Sequence, residues 1–344
     1  MILSSDASVI DVSEVTRTFV LRRRTGWMRR ERSDVHAVRD LSFSVRAGEM
    51  VGYLGPNGAG KSTTIKMLVG ILTPSAGRMR VAGLDPSRQR LRLARRIGVV
   101  FGQRSALWSD LPLRDSFDLI QRIYRIPPAR YRRNLDEFIE LLDLASFIDT
   151  PVRQLSLGQR MRGSVTAAFL PEPEIVYLDE PTIGLDVVSK AAVRSFLART
   201  NRESGTTILL TTHDMTDVEQ LCRRVMVIDH GRLGFDGTLD ELRTRIGGVR
   251  TLRVDLAEPH PPMTIEGAQV VRVDGARQWL EFSSQDSAAP LVSAVAARYP
   301  LVDLAVGEPA IEDVVARLYT TDRLPAVPPS RTDPDPAHPP SPVR

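Results

Sequence analysis

The chain has 344 residues, 42% hydrophobic and 26% charged, which allows two domains and a sizeable core. Its 46 basic and 42 acidic residues leave a net charge of only +4, with arginines scattered and lysines at 61, 66 and 190 alone, so charge argues for no particular partner and no nucleic acid is expected. No apolar run reaches the ~18 to 20 residues of a spanning helix, the Met-Ile-Leu-Ser-Ser-Asp start lacks the pattern of a secretory signal, and the lone Cys222 excludes an intrachain disulfide and is expected to pack as a small buried hydrophobe.

Through residues 1–245 short β-type runs alternate with helical patterns, the order of an α/β domain with a largely parallel sheet. A basic segment, Arg22-Arg23-Arg24 through Arg29-Arg30 around Trp27, interrupts the opening strands. It reads as a solvated loop, with contact to a membrane partner or acidic lipid as the alternative. Met50–Leu54 predicts a short apolar strand, and Ile65, Leu68, Val69 and Leu72 predict a helix. Between them lies Gly55-Pro56-Asn57-Gly58-Ala59-Gly60-Lys61-Ser62, followed by Thr63. Strand, glycine loop, helix is the context in which this octet grips phosphate: curled backbone N–H groups and the helix's positive end face the anion. Lys61 would neutralise the β- and γ-phosphates of a nucleoside triphosphate, and the Ser62 hydroxyl would complete a Mg²⁺ shell.

Residues 104–170 read as a helical insert, with stripes at Phe117, Ile120, Ile123 and Tyr124, at Leu135, Phe138, Ile139 and Leu142, and at Met161, Val165 and Phe169. Ile175–Leu178 predicts a buried strand ending in two carboxylates. In a parallel sheet that end opens on the ligand crevice, so Asp179 would hold Mg²⁺ through water and Glu180 would accept a proton from the attacking water. Thr206–Thr212 has the length of another strand, with His213 just beyond it. Residues 246–320 form a smaller unit of order βββαβα. Its strands are marked by Leu252, Val254 and Leu256, by Val271 and Val273 before an Asp274-Gly275 turn, by Leu280 and Phe282, and by Leu301–Val306. A helix carries Leu291, Val292, Val295 and Tyr299, and a last one opens at Pro309. The proline-rich residues 321–344 are expected to be disordered.

Several motifs in the right order make the chain resemble the ATP-binding subunits of ABC transporters over residues 9 to about 240. Besides the phosphate loop and the Asp179-Glu180 strand end, Gln103 in Val-Val-Phe-Gly-Gln is placed like the Q-loop glutamine, and Leu155-Ser156-Leu157-Gly158-Gln159 is similar to the signature. Thr182-Ile183-Gly184-Leu185-Asp186 resembles the D-loop, His213 the switch histidine, and Phe19 the aromatic that stacks on adenine. The resemblance implies an ABC ATPase core with a helical subdomain plus a small C-terminal α+β domain, using ATP and Mg²⁺, with Gln103 helping to ligate the metal. It also implies head-to-tail pairing with a second cassette, identical or a close paralogue, in which Ser156, Leu157, Gly158 and Gln159 close the partner's ATP. Separate transmembrane permease subunits would hold the cassette at the cytoplasmic face of the membrane. Docking is expected on the insert and near Gln103, where Leu107, Trp108 and Leu111 form an apolar group that reads equally as core. Glu308–Val314 is similar to the tail of ABC-2 exporter cassettes of the drug- and antibiotic-resistance group. One departure is Leu157, where the signature usually has glycine. It would narrow the packing beside the nucleotide and moderate turnover.

Overall fold

The computed structural model describes residues 8–24, 30–102, 106–245, 249–283 and 286–307, excluding the side chains of 21–24 and 30–32. The chain opens with a long hairpin, β1 (Ser8–Arg24) and β2 (Arg30–Arg46), then enters β3 (Met50–Leu54), α1 (Lys61–Leu68), β4 (Ala76–Val81), α2 (Arg90–Leu93) and β5 (Ile97–Phe101). Three helices follow, α3 (Leu113–Tyr124), α4 (Pro128–Leu141) and α5 (Leu157–Phe169). The chain then returns through β6 (Ile175–Asp179), α6 (Val187–Ser204), β7 (Thr207–Thr211), α7 (Met215–Leu221), β8 (Arg224–Asp229), β9 (Arg232–Thr238) and α8 (Leu239–Arg245). Last come β10 (Val249–Leu256), β11 (Ala268–Asp274), β12 (Arg277–Ser283), α9 (Ala288–Arg298) and β13 (Leu301–Gly307).

The central sheet has the order β5-β6-β7-β3-β8-β9, parallel except for β9. Its strands read as unbroken apolar runs because both faces are covered. Successive side chains alternate between two cores: Leu54, Leu178, Leu210 and Val227 join the helices on one side, while Tyr53, Tyr177, Leu209 and Ile228 face α1 and the antiparallel sheet β2-β1-β4. On the helical side Phe196 of α6 meets Phe138 of α4 and Phe169 of α5 edge-on, with centroids 5.0 and 5.1 Å away. Cys222 is buried, as expected.

Three expectations change. The arginines at either end of the basic segment belong to strands, Arg22 pairing with Arg32, Arg23 with Glu31 and Arg24 with Arg30, while residues 25–29, where the loop was expected, lie outside the described residues. The stripe on α3 is shorter than its periodicity suggested, since Phe117 and Ile120 are buried whereas Ile123 and Tyr124 are exposed. In the four-stranded sheet β11-β12-β10-β13, a register shift between Val270 and Arg272 leaves Val271 and Val273 exposed. Val270 and Ala268 pack there instead, against a core of Leu252, Val254, Leu280, Phe282, Leu291 and Val295. The helix expected from Pro309, the tail motif at 308–314, the proline-rich stretch and Gln103 lie outside the described residues. The apolar group after Gln103 divides, with Leu107 buried and Trp108 exposed.

Candidate active site

At the end of β3 the chain turns sharply because two glycines leave no room for a side chain. A Cβ on Gly55 would sit 2.4 Å from the Ile228 carbonyl oxygen, and one on Gly60, whose φ is 108°, would sit 2.5 Å from that of Ala37. The loop is pinned by Ala59 N–H donating to Pro56 O (3.1 Å) and Gly231 N–H donating to Ala59 O (2.9 Å). Lys61, only 7% exposed, donates through Nζ to the carbonyls of Gly55 (2.5 Å) and Pro56 (3.2 Å). Burial lowers the pKa of its ammonium group, against the opposing influence of Glu180 and Asp179. Helix α1 begins at Lys61 without a side-chain cap. Its first N–H groups therefore suit an anion at the loop.

Strand β6 delivers two carboxylates to the same place. The Ser62 hydroxyl donates to Asp179 Oδ2 at 3.3 Å, and Thr211, at the end of the neighbouring β7, donates to Oδ1 at 2.6 Å. Glu180 follows with φ 56°, a left-handed backbone that costs on the order of 1 kcal/mol in a side-chain-bearing residue. Its N–H is held by the Thr211 carbonyl at 2.9 Å. Glu180 Oε2 accepts the His213 N–H at 3.2 Å. Oε1 is buried without a hydrogen-bond partner among the described residues: it lies 3.2 Å from His213 Nε2, but that nitrogen pairs with Asn57 Oδ1 at 3.1 Å. Burial raises the pKa of the Glu180 carboxyl, opposed by the charge and backbone N–H of His213 and by Lys61.

These groups line one cleft of about 720 Å³, which Pro56, Asn57, Gly58, Gly60 and Thr63 share with Lys61, Ser62, Asp179, Glu180 and His213. Sequence reasoning had named all of these. Thr211, which fixes Asp179, it missed, although a threonine closing the apolar run Ile208-Leu209-Leu210 is a usable signal. Phe19 is not brought into the lining: it sits on β1 opposite Val35, with the Arg17 guanidinium 4.6 Å over its ring. The four residues Ser156 to Gln159 also lie outside the lining. Ser156 caps α5 in a capping box, accepting the Gln159 N–H at 3.2 Å while its own N–H meets Gln159 Oε1 at 2.9 Å. A Cβ at Gly158 would fall 2.9 Å from Ser189 Oγ, and one at Gly184 would fall 2.8 Å from Leu157 Cδ2. The segment resembling the signature thus abuts the one resembling the D-loop, where Asp186 caps α6 by accepting the Ser189 N–H at 2.8 Å.

Comparison with known proteins agrees with this geometry. The family described as "ABC transporter" matches residues 38–183. The daunorubicin resistance ATP-binding protein DrrA3 of Streptomyces coeruleorubidus is 40% identical over 221 residues, covering 63% of this chain and 68% of that protein. The chain belongs to the ABC transporter ATP-binding family. The Nod factor export ATP-binding protein I of Ralstonia nicotianae (strain ATCC BAA-1114 / GMI1000) is 38% identical over 231 residues, 66% of this chain and 70% of that protein. A solved ATP-binding subunit of an ABC transporter superposes with a TM-score of 0.60 at 26% identity, covering 70% of this chain and 93% of that one. The cassette is thus the ATP-binding subunit of an ABC transporter and an ABC-type ATPase.

Proposed function

We propose that this cassette drives export of a substrate through separate membrane permease subunits by binding ATP, closing on a second cassette and hydrolysing the nucleotide. The observation that carries the reading is the cluster at the strand ends: Ser62 3.3 Å from Asp179, with Glu180 alongside, its Oε1 lacking a hydrogen-bond partner among the described residues and lying 3.2 Å from His213 Nε2. The loop from Gly55 to Thr63 and the N-terminus of α1 hold the phosphates, and Lys61 neutralises them. A hydroxyl and a carboxylate in contact are a hard-oxygen pair that suits Mg²⁺, an ion that keeps several waters and takes few protein ligands. Mg²⁺ bound by Ser62 and Asp179, with Gln103 assisting, would offset charge developing on the phosphates. The Glu180 carboxylate accepts a proton from the attacking water, and His213, steadied by Asn57 and Glu180, faces the γ-phosphate.

Phe19 remains the proposed base platform although it lies outside the cleft lining with Arg17 over its ring. Ser156, Leu157, Gly158 and Gln159 lie outside their own cleft, so they act on the ATP of a second copy or close paralogue, with Asp186 at the same junction. Export is supported by relatives named for drug resistance and for Nod factor export. No helix among the described residues is long and apolar enough to cross a membrane. Attachment at the cytoplasmic face therefore falls to the permease, with exposed Trp108 and Ile123 as docking candidates. Residues 1–245 act as the cassette, with 104–170 its helical part and 246–320 an accessory unit. Glu180→Gln tests the chemistry. Nucleotide affinity should be kept while hydrolysis falls by ~10² or more, and an unchanged steady-state rate would remove Glu180 from the role of base.

A further inference from the structure

Behind the two turns that carry Glu180 and His213 lies a carboxylate with no place in the scheme above. Asp217, in the first turn of α7, is fully buried. Its Oδ2 accepts the hydroxyl of Thr182 and, at 3.4 Å, that of Thr212. Its Oδ1 accepts Arg194 Nε from α6. Thr182 is two residues past Glu180 and Thr212 immediately precedes His213, so one oxygen atom grips both turns. The rest of the cage is ordered too. Thr212 Oγ1 accepts the Asp214 N–H at 3.0 Å, and Asp214 pairs with Lys190 at 2.5 Å and lies 3.6 Å from Arg194.

Glu180 has reason to require such a grip. A non-glycine residue at φ 56° persists only where its surroundings over-determine the turn. The Glu180 N–H bond to Thr211 fixes the turn from the strand side, and the Thr182 hydroxyl fixes it from the far side. We propose that Asp217 is a positioning residue for hydrolysis: through Thr182 and Thr212 it sets the spacing between the Glu180 carboxylate and His213. The inference rests on the reading of Glu180 as the base. Asp217 is buried away from the cleft lining, so it acts on the reaction without reaching the nucleotide.

Steady-state kinetics of the full chain with MgATP test this, using Asp217→Asn, Thr182→Val and each combined with Glu180→Gln. Thr182→Val keeps the shape of its site and removes only the hydroxyl, so it answers the question if Asp217→Asn fails to fold. Either single variant should lower kcat by between about tenfold and a hundredfold, as a displaced reacting group does, with KM for MgATP within about twofold. In the Glu180→Gln background the same changes should have almost no further effect, because the group being positioned is gone. Equal fold-losses in both backgrounds, a change confined to KM, or an unaltered kcat in folded Thr182→Val would overturn the proposal while leaving Glu180 as the base. A Glu180→Gln protein with unchanged kcat would overturn the reading of the base, and the positioning role with it.

Discussion

At the residue scale the proposed chemistry rests on Glu180. It is one carboxylate with a strained backbone, a buried oxygen lacking a hydrogen-bond partner among the described residues and a pKa raised by burial. A base must be ionised to accept a proton, so hydrolysis should fall as the pH drops through that raised value. The acid limb of kcat/KM for MgATP should therefore have its midpoint above the ~4.3 of an ordinary glutamate. A limb at the ordinary value would mean that burial does not govern the reacting group. Backbone constraint is equally local: in Gly60→Ala the new Cβ meets the Ala37 carbonyl at 2.5 Å in a left-handed backbone. Equilibrium nucleotide titration should show binding weakened by at least about tenfold, since the loop must open to relieve that contact. The loop and carboxylates of this cleft were legible in sequence because they sit at strand ends whose direction the apolar runs reveal, whereas Ala37, Lys66 and Phe101, which also line it, were not. Asp217 was not, because its meaning depends on two threonines 35 and 5 residues away that only the fold brings to one oxygen.

Elements were legible where periodicity was uninterrupted. β3, β6, β7 and the helices α3, α4 and α5 fall where their patterns place them, with boundaries shifted by a few residues. Apolar periodicity fails where it cannot report the partner. Ile123 continues a stripe whose last turn runs past the core, and the register shift in β11 turns Val271 outward although the alternation looks regular. The strands run further into the basic segment than its composition suggested, because the pairing of Arg22–Arg24 is a backbone matter that side-chain charge hides. Packing between the helical segment and the sheet-covering α6 centres on Phe196, whose ring meets both Phe138 and Phe169. Phe196→Ala should cost about 3–5 kcal/mol in urea unfolding, the range for truncating a buried aromatic. A loss under 1 kcal/mol would show that the three rings do not bind these layers together.

On the scale of the whole molecule, two apolar cores sandwich the parallel sheet, and a third belongs to the C-terminal strands and α9. None of the buried residues of the third is shared with the other two. A chain ending at Arg245 should accordingly keep its fold and hydrolyse MgATP within about twofold of the full-length rate in a steady-state assay, and a larger loss would show that the C-terminal unit takes part in the reaction cycle. The cleft itself lacks Ser156 to Gln159, which lie beside Gly184 and Asp186 of the same chain, and under the proposed function a second copy supplies them. Light scattering of full-length Glu180→Gln at saturating MgATP measures this directly. Nucleotide should convert the one-chain mass to the two-chain mass, and Ser156→Arg in the same background should abolish the conversion. A protein that binds MgATP yet keeps the one-chain mass, or a pair indifferent to Ser156→Arg, would contradict a nucleotide held between two cassettes.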